Sequence, residues 1–178
     1  DKNNYGALAA GMGAFASHGY STAVGYNATS VISSTSLGAA SYATSNSAAV
    51  GVNAYATNKG TSVGNNTQSA NGVAIGYNAT AGDFYKNLPG ELFSSYSGTA
   101  IGNNAFARGG VAVGDSASAE AYGVALGDRA YVAWRGSALG DNASVLANGG
   151  VALGPDAVAD TAAGKIGFVA TAAGQPAT

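Results

Sequence analysis

A glycine returns about every thirteen residues along this chain, and no other feature limits the possible folds so tightly. It sits in a ten-residue pattern: small, any, Ala or Ser, aliphatic, Gly, any, any, Ala, any, Ala. The anchors are Gly11, Gly25, Gly38, Gly51, Gly64, Gly76, Gly102, Gly114, Gly127, Gly140 and Gly154. The steps between them are 14, 13, 13, 13, 12, 26, 12, 13, 13 and 14, so the one that breaks the period is twice thirteen. The residue before each anchor runs Ala10, Val24, Leu37, Val50, Val63, Ile75, Ile101, Val113, Leu126, Leu139, Leu153. The residue two before is always Ala or Ser, and the positions three and five after are nearly always small.

Thirteen residues are too few for a helical-hairpin repeat, which needs roughly 34. They suit two strands of about five residues joined by two tight turns, and period-two alternation around the anchor supports strand. The expected architecture is an all-β parallel solenoid. One thin coil cannot offset the entropy of ordering itself, so stability has to come from stacking coils. Eleven coils at about 4.8 Å each make a rod of roughly 50 Å.

Alternation divides each strand into two faces. In the first strand the aliphatic positions one and three before the anchor share a face (Val73 with Ile75, Val111 with Val113, Val124 with Leu126). These are expected to point inward, against the small residues three and five after the anchor. Thr22, Thr35, Thr61 and Thr99, three before their anchors, are accordingly assigned to a buried slot. The Ala or Ser two before the anchor and the anchor glycine are expected to face out. The turn after the anchor often carries Asn (Asn27, Asn53, Asn66, Asn78, Asn104, Asn142), a residue that tolerates left-handed backbone at a corner. The sequon Asn27-Ala28-Thr29 is read as a by-product of that turn chemistry.

Composition narrows the function classes. Charged residues are 9% of the chain, against roughly 25% in an ordinary soluble domain. Seven Lys and Arg scattered through a chain of net charge −2 form no basic patch, which argues against nucleic-acid partners. The absence of cysteine excludes disulfides and thiolate metal sites. No apolar run reaches the ~18 residues of a spanning helix. The expected outward face, uniformly Ala, Ser and Gly, would let another backbone approach closely. It predicts a homo-oligomer with Gly25, Gly38, Gly51, Gly76, Gly102, Gly114, Gly127 and Gly140 at its centre. Composition does not say how many chains meet there.

The segments Gly72-Val-Ala-Ile-Gly-Tyr-Asn-Ala-Thr-Ala81, Gly98-Thr-Ala-Ile-Gly-Asn-Asn-Ala-Phe-Ala107 and Gly123-Val-Ala-Leu-Gly-Asp-Arg-Ala130 closely resemble the head repeats of trimeric autotransporter adhesins, the YadA-like head. The resemblance covers residues 7 to about 160. It implies a left-handed parallel β-roll of about 13-residue coils, with three chains side by side. It implies a bacterial cell-surface location, with a stalk and an outer-membrane barrel anchor elsewhere. It also implies attachment to matrix proteins, host cells or other bacteria, with autoaggregation and biofilm growth. The chain, opening at Asp1, is accordingly expected to be a segment of a longer protein. Residues 1–160 form the repeat array, with an insertion at 82–97. Residues 161–178 leave the repeat and show no heptads; Gly164-Lys-Ile-Gly-Phe168 is a candidate start of another module.

Candidate ligand contacts fall in two places. The insertion holds Phe84, Tyr85, Leu88, Leu92, Phe93 and Tyr96, which either recognise a protein ligand or pack on the rod or a neighbouring chain. It is expected to replace about one coil. Four residues after the anchor come Phe15, Tyr42, Tyr55, Phe106 and Tyr131, expected to point outward. They offer a ligand stripe or, more simply, stabilise neighbouring coils across strands. Trp134 and Arg135 are placed at a packed corner. His18, the only histidine, makes neither a metal site nor a catalytic triad alone. Asp115, Asp128 and Asp141 follow successive anchors and are taken as solvated turn residues rather than a calcium ladder. No catalytic set or cofactor motif is visible, so the expectation is a non-enzymatic protein without cofactor. Two rivals remain: a left-handed β-helix acyltransferase, whose coils close after about eighteen residues, and an ice-binding solenoid, which needs regular exposed threonine ranks.

Overall fold

The computed structural model describes residues 6–82 and 96–161. They form a parallel β-solenoid of eleven turns, with no helix among the described residues. Each turn adds one strand to each of two eleven-stranded parallel sheets. The first sheet runs from Leu8–Ala10 to Val151–Leu153, the second from Phe15–Ser17 to Val158–Ala159. Strand partners are those the glycine alignment requires. Thr22, Ala23 and Val24 pair with Thr35, Ser36 and Leu37, which pair in turn with Ala48, Ala49 and Val50.

The long step between Gly76 and Gly102 is a single turn, not two. Strand Val73–Ile75 pairs directly with Thr99–Ile101, and Thr80–Ala81 with Phe106–Ala107. The insertion therefore replaces no coil; it leaves and re-enters at one corner. Its flanks close on each other, since a Cβ placed on Gly98 would lie 3.1 Å from the Gly82 nitrogen. The two ladders run past this point without a break.

Each turn has two corners, and left-handed backbone recurs at both kinds. At the first, the anchor glycines from Gly11 to Gly140 hold φ between 128° and 145°. Two residues on, the predicted asparagines do take the left-handed conformation, with φ from 51° at Asn27 to 57° at Asn78. The N–H three residues after the anchor closes the turn on the anchor carbonyl, as Ala54 does on Gly51. The next corner stacks directly above, with Asn53 N–H donating to the Ala39 carbonyl at 2.9 Å.

The polarity of the first strand is opposite to that expected. The position two before the anchor is the buried one: Ala23, Ala49, Ala74, Ala100, Ala112, Ala125 and Ala138 are fully enclosed, as are Ser36 and Ser62. The aliphatics on either side point outward, and Ile75 remains 38% exposed. Thr22, Thr35, Thr61 and Thr99 share that outward row, half-buried, and not a core slot. The second strand matches expectation, with the small residues three and five after the anchor inside. The reason is space. Three small side chains per turn already fill the gap between the sheets, and Val132 and Val145 are the largest fully buried residues. Each valine lies over a glycine of the opposite sheet: a Cβ on Gly123 would meet Val132 Cγ1 at 2.6 Å, and one on Gly136 would meet Val145 Cγ1 at 2.5 Å.

The core also changes along the rod. From Ala74 to Ala152 it is one cluster of alanines with the two valines. Toward the N-terminus hydroxyls replace many methyls: Ser21, Ser30, Ser34, Ser36, Ser41, Ser47, Ser62, Thr67 and Ser69 are buried. Unpartnered hydroxyls there would each cost roughly 1–3 kcal/mol. Ser36 Oγ donates to the Ser41 carbonyl at 2.9 Å, and Ser62 Oγ to the Tyr55 carbonyl at 2.7 Å. Among the described residues, every buried side-chain nitrogen and oxygen has a partner.

Candidate interaction surfaces

Three outward surfaces emerge: the face of the first sheet, the face of the second, and the second corner. On the first sheet Val24, Leu37, Val50, Val63, Ile75, Ile101, Val113, Leu126, Leu139 and Leu153 form an unbroken aliphatic row, one per turn, since each pairs in register with the next. Beside it run Val73, Val111, Val124 and Val151, with threonine, alanine or serine on other rungs. Among the described residues nothing covers this face, and Leu37, Val63, Ile75 and Ile101 stay exposed on it. The anchor glycines do not pave it. They sit at the adjoining corner, where a Cβ on Gly51 would strike the Gly64 carbonyl and one on Gly76 the Gly102 carbonyl. Gly25, Gly38, Gly102, Gly114, Gly127 and Gly140 are hemmed in the same way by the next turn. Their smallness is thus required within one chain, and the exposed small-residue face expected from the sequence is absent.

The aromatic row on the second sheet does point outward. Phe15, Tyr55 and Tyr131 are exposed, and Tyr42 and Phe106 half-buried. Only Tyr42 and Tyr55 occupy adjacent rungs, where they stack. Phe106 stands between Thr80 and Ser118, and Tyr131 between Ser118 and Ser144. The row is therefore interrupted, and one pair gains mutual support.

At the second corner Tyr96, the last aromatic of the insertion, packs across Gly109. Its ring meets that of Tyr122 edge to face, with centroids 5.6 Å apart. The Arg135 guanidinium lies over the same Tyr122 ring, 5.5 Å from its centroid. Trp134, next in the chain, is exposed rather than packed. The sequence marks Trp134 and Arg135 but not Tyr122, which only the stacking of corners brings beside them. Phe84, Tyr85, Leu88, Leu92 and Phe93 lie outside the described residues.

The aspartates do not form a cation site. Arg129 reaches Asp128 at 3.5 Å and Asp141 at 3.3 Å, so a guanidinium occupies the space between two of the three carboxylates. Asn142 donates to Asp156 at 2.8 Å, extending this polar edge by one turn. Among the described residues no three of His, Asp or Glu gather as metal ligands. His18 Nδ1 lies 3.1 Å from the hydroxyl of its neighbour Ser17.

These features define a parallel β-solenoid whose distinctive surfaces are apolar or aromatic. No protein family, curated protein or solved structure matches the chain.

Proposed function

We propose that this chain is the head of a bacterial surface adhesin of the trimeric autotransporter kind: a left-handed β-roll standing beside two copies of itself, non-catalytic, displaying binding surfaces outward. The aliphatic row of the first sheet carries the reading. Soluble monomers rarely leave contiguous apolar patches larger than a few hundred Å² in water. This one runs through every turn from Val24 to Leu153 on a flat sheet. A second and third copy presenting the same row would bury it, each covered side chain contributing roughly 25 cal/mol per Å² removed from water. The number three and the left hand come from the resemblance of the repeats to YadA-like heads.

Three identical edges would then face outward, so weak contacts add by avidity. The ligands this reading admits are matrix proteins such as collagen or fibronectin, a host-cell receptor, or other bacteria. The stalk and outer-membrane anchor belong to sequence beyond this segment. The ice-binding rival draws no support from the threonine rungs. Threonine occupies four of the eleven rungs in its outward row, always beside an aliphatic, which is not the regular threonine rank an ice-binding face needs.

Two measurements test the proposal. Sedimentation at micromolar concentration should give three times the monomer mass, and Ile75→Lys with Ile101→Lys should reduce it to a folded monomer. A wild-type monomer would sink the trimer. Immobilised matrix proteins and whole cells should capture the chain, and failure on every surface would sink the adhesive role.

A further inference from the structure

The second corner usually passes through left-handed backbone, and some turns meet that demand cheaply. Asn46, Asn58, Asn71 and Gly149 hold such positions at their own corners. Larger side chains hold them elsewhere: Tyr20 at φ 63°, Ile32 at φ 57°, Lys59 at φ 66° and, on two successive turns, Tyr122 at φ 61° and Arg135 at φ 48°. Bulky side chains in this region are true outliers. The expense brings little internal packing: Tyr122 is 55% exposed, Arg135 is exposed, and the adjacent Trp134 is 43% exposed. Gly149, one turn beyond Arg135, with its N–H donating to the Trp134 carbonyl, shows that this corner closes with no side chain at all. Backbone strain alone therefore does not single this corner out; the guanidinium held over one exposed ring and beside an exposed indole does.

Chemistry then selects a ligand. Arg135 has no carboxylate partner among the described residues, and its ordered contact is the Tyr122 ring. The second corners from Arg108 to Gly150 carry two other charges, Arg108 and Glu120, which pair with each other at 3.9 Å. Among the described residues one guanidinium therefore stands without a carboxylate beside exposed rings, on a chain that is acidic overall. Aromatic faces suit the C–H faces of sugar rings, and a guanidinium fork suits a carboxylate or sulfate. We propose that Trp134, Arg135 and Tyr122 form a binding site for an anionic glycan. The proposal rests on the adhesin reading and specifies one class of ligand for it.

Trp134 is the only tryptophan in the chain, so its fluorescence reports the site directly. The 178-residue chain is titrated with heparin and hyaluronate hexasaccharides, neutral cellohexaose and a polyglutamate peptide. The expected result is a saturable, salt-sensitive response to the sulfated sugar, the carboxylated sugar or both, which distinguishes the two anion sources. Affinity for cellohexaose and polyglutamate should be at least tenfold weaker. Arg135→Gly should lose at least tenfold in glycan affinity with a melting temperature unchanged or raised; a purely structural arginine would lower it. Silence toward both anionic sugars overturns the site, as does undiminished binding by Arg135→Gly. Polyglutamate binding as tightly as the sugars would assign the corner to an acidic protein instead. A chain that ignores these sugars yet adheres to matrix or cells refutes the site alone. One that binds them but adheres to nothing refutes the adhesive role alone.

Discussion

Tyr42 and Tyr55 are register partners on adjacent rungs of the second sheet, their rings 5.0 Å apart and 10° from parallel. Burial, and secondarily the charge Tyr42 would carry, push the Tyr55 hydroxyl above its ordinary value of 10.0. The folded state thus keeps a proton that the unfolded chain releases near pH 10. Stability from this pair should be fully present below that pH and decline as pH rises through the folded-state value. Phenolate absorbance should show one tyrosine titrating late. Tyr42→Phe should bring that step earlier, and Tyr55→Phe should flatten the loss of stability above pH 10.

Val132 and Gly123 fit as knob and hole. Gly123 has no left-handed backbone requirement, and the obstacles to a side chain there are Val132 Cγ1 at 2.6 Å and, less severely, Val132 Cβ at 2.9 Å. Gly123→Ala should cost roughly 1–3 kcal/mol by overpacking. Val132→Ala should cost about 1–2.5 kcal/mol by leaving a cavity. Combined, the worse of the two collisions, that with Cγ1, disappears while the milder one with Cβ stays, so the double variant should fall short of the sum by about 1 kcal/mol. Chemical denaturation of the four proteins measures this coupling, and strict additivity would contradict the packing described.

The period, the parallel stacking, the asparagine corners and the outward aromatics were all legible in the sequence. Each depends only on spacing or on the conformational preference of one residue type. The direction of the first strand was not. Alternation tells which residues share a face, as Val73 and Ile75 do, but not which face is inside. Ordinary hydrophobicity favours the aliphatics, and the deciding quantity is the narrow gap between the sheets. A signal was present: the position two before the anchor never departs from Ala or Ser, whereas its neighbours range from Ala and Thr to Leu. Uniform smallness across eleven turns marks the tight side, and variable size the open one. The cluster of Tyr96, Tyr122 and Arg135 was out of reach for another reason. It depends on the long step being one turn, so that residue 96 enters the column of corners just before Gly109.

Gly51 and Gly154 separate two costs that anchor substitution combines. Both have positive φ, 134° and 109°, but a Cβ at Gly51 strikes the next turn's backbone while one at Gly154 meets nothing within 4 Å. Gly154→Ala should lose only backbone strain, about 1–3 kcal/mol. Gly51→Ala adds a collision between main chains and should be worse by at least about 1 kcal/mol, because no flexible side chain can yield. Thermal melts of the two variants test this, and equal losses would mean the turns can spread.

Deleting residues 83 to 96 should leave the rod intact. The strands on either side already pair with one another, Val73 with Thr99 and Ile75 with Ile101. The deletion joins Gly82 to Ser97 and Gly98, leaving three residues between Ala81 and Thr99. The following turn closes with the same number, Arg108, Gly109 and Gly110, between Ala107 and Val111. The loss is the Tyr96 contact with Tyr122, worth about 0.5–1.5 kcal/mol. Circular dichroism should therefore keep its β signature, and melting should shift by a few degrees at most. With the fold preserved, the shortened chain becomes a clean probe of ligand binding. Adhesion that survives the deletion lies on the rod, whereas adhesion lost with the fold intact belongs to the excised segment. Collapse of the rod would instead show that the ladders depend on residues 83 to 96 for their alignment.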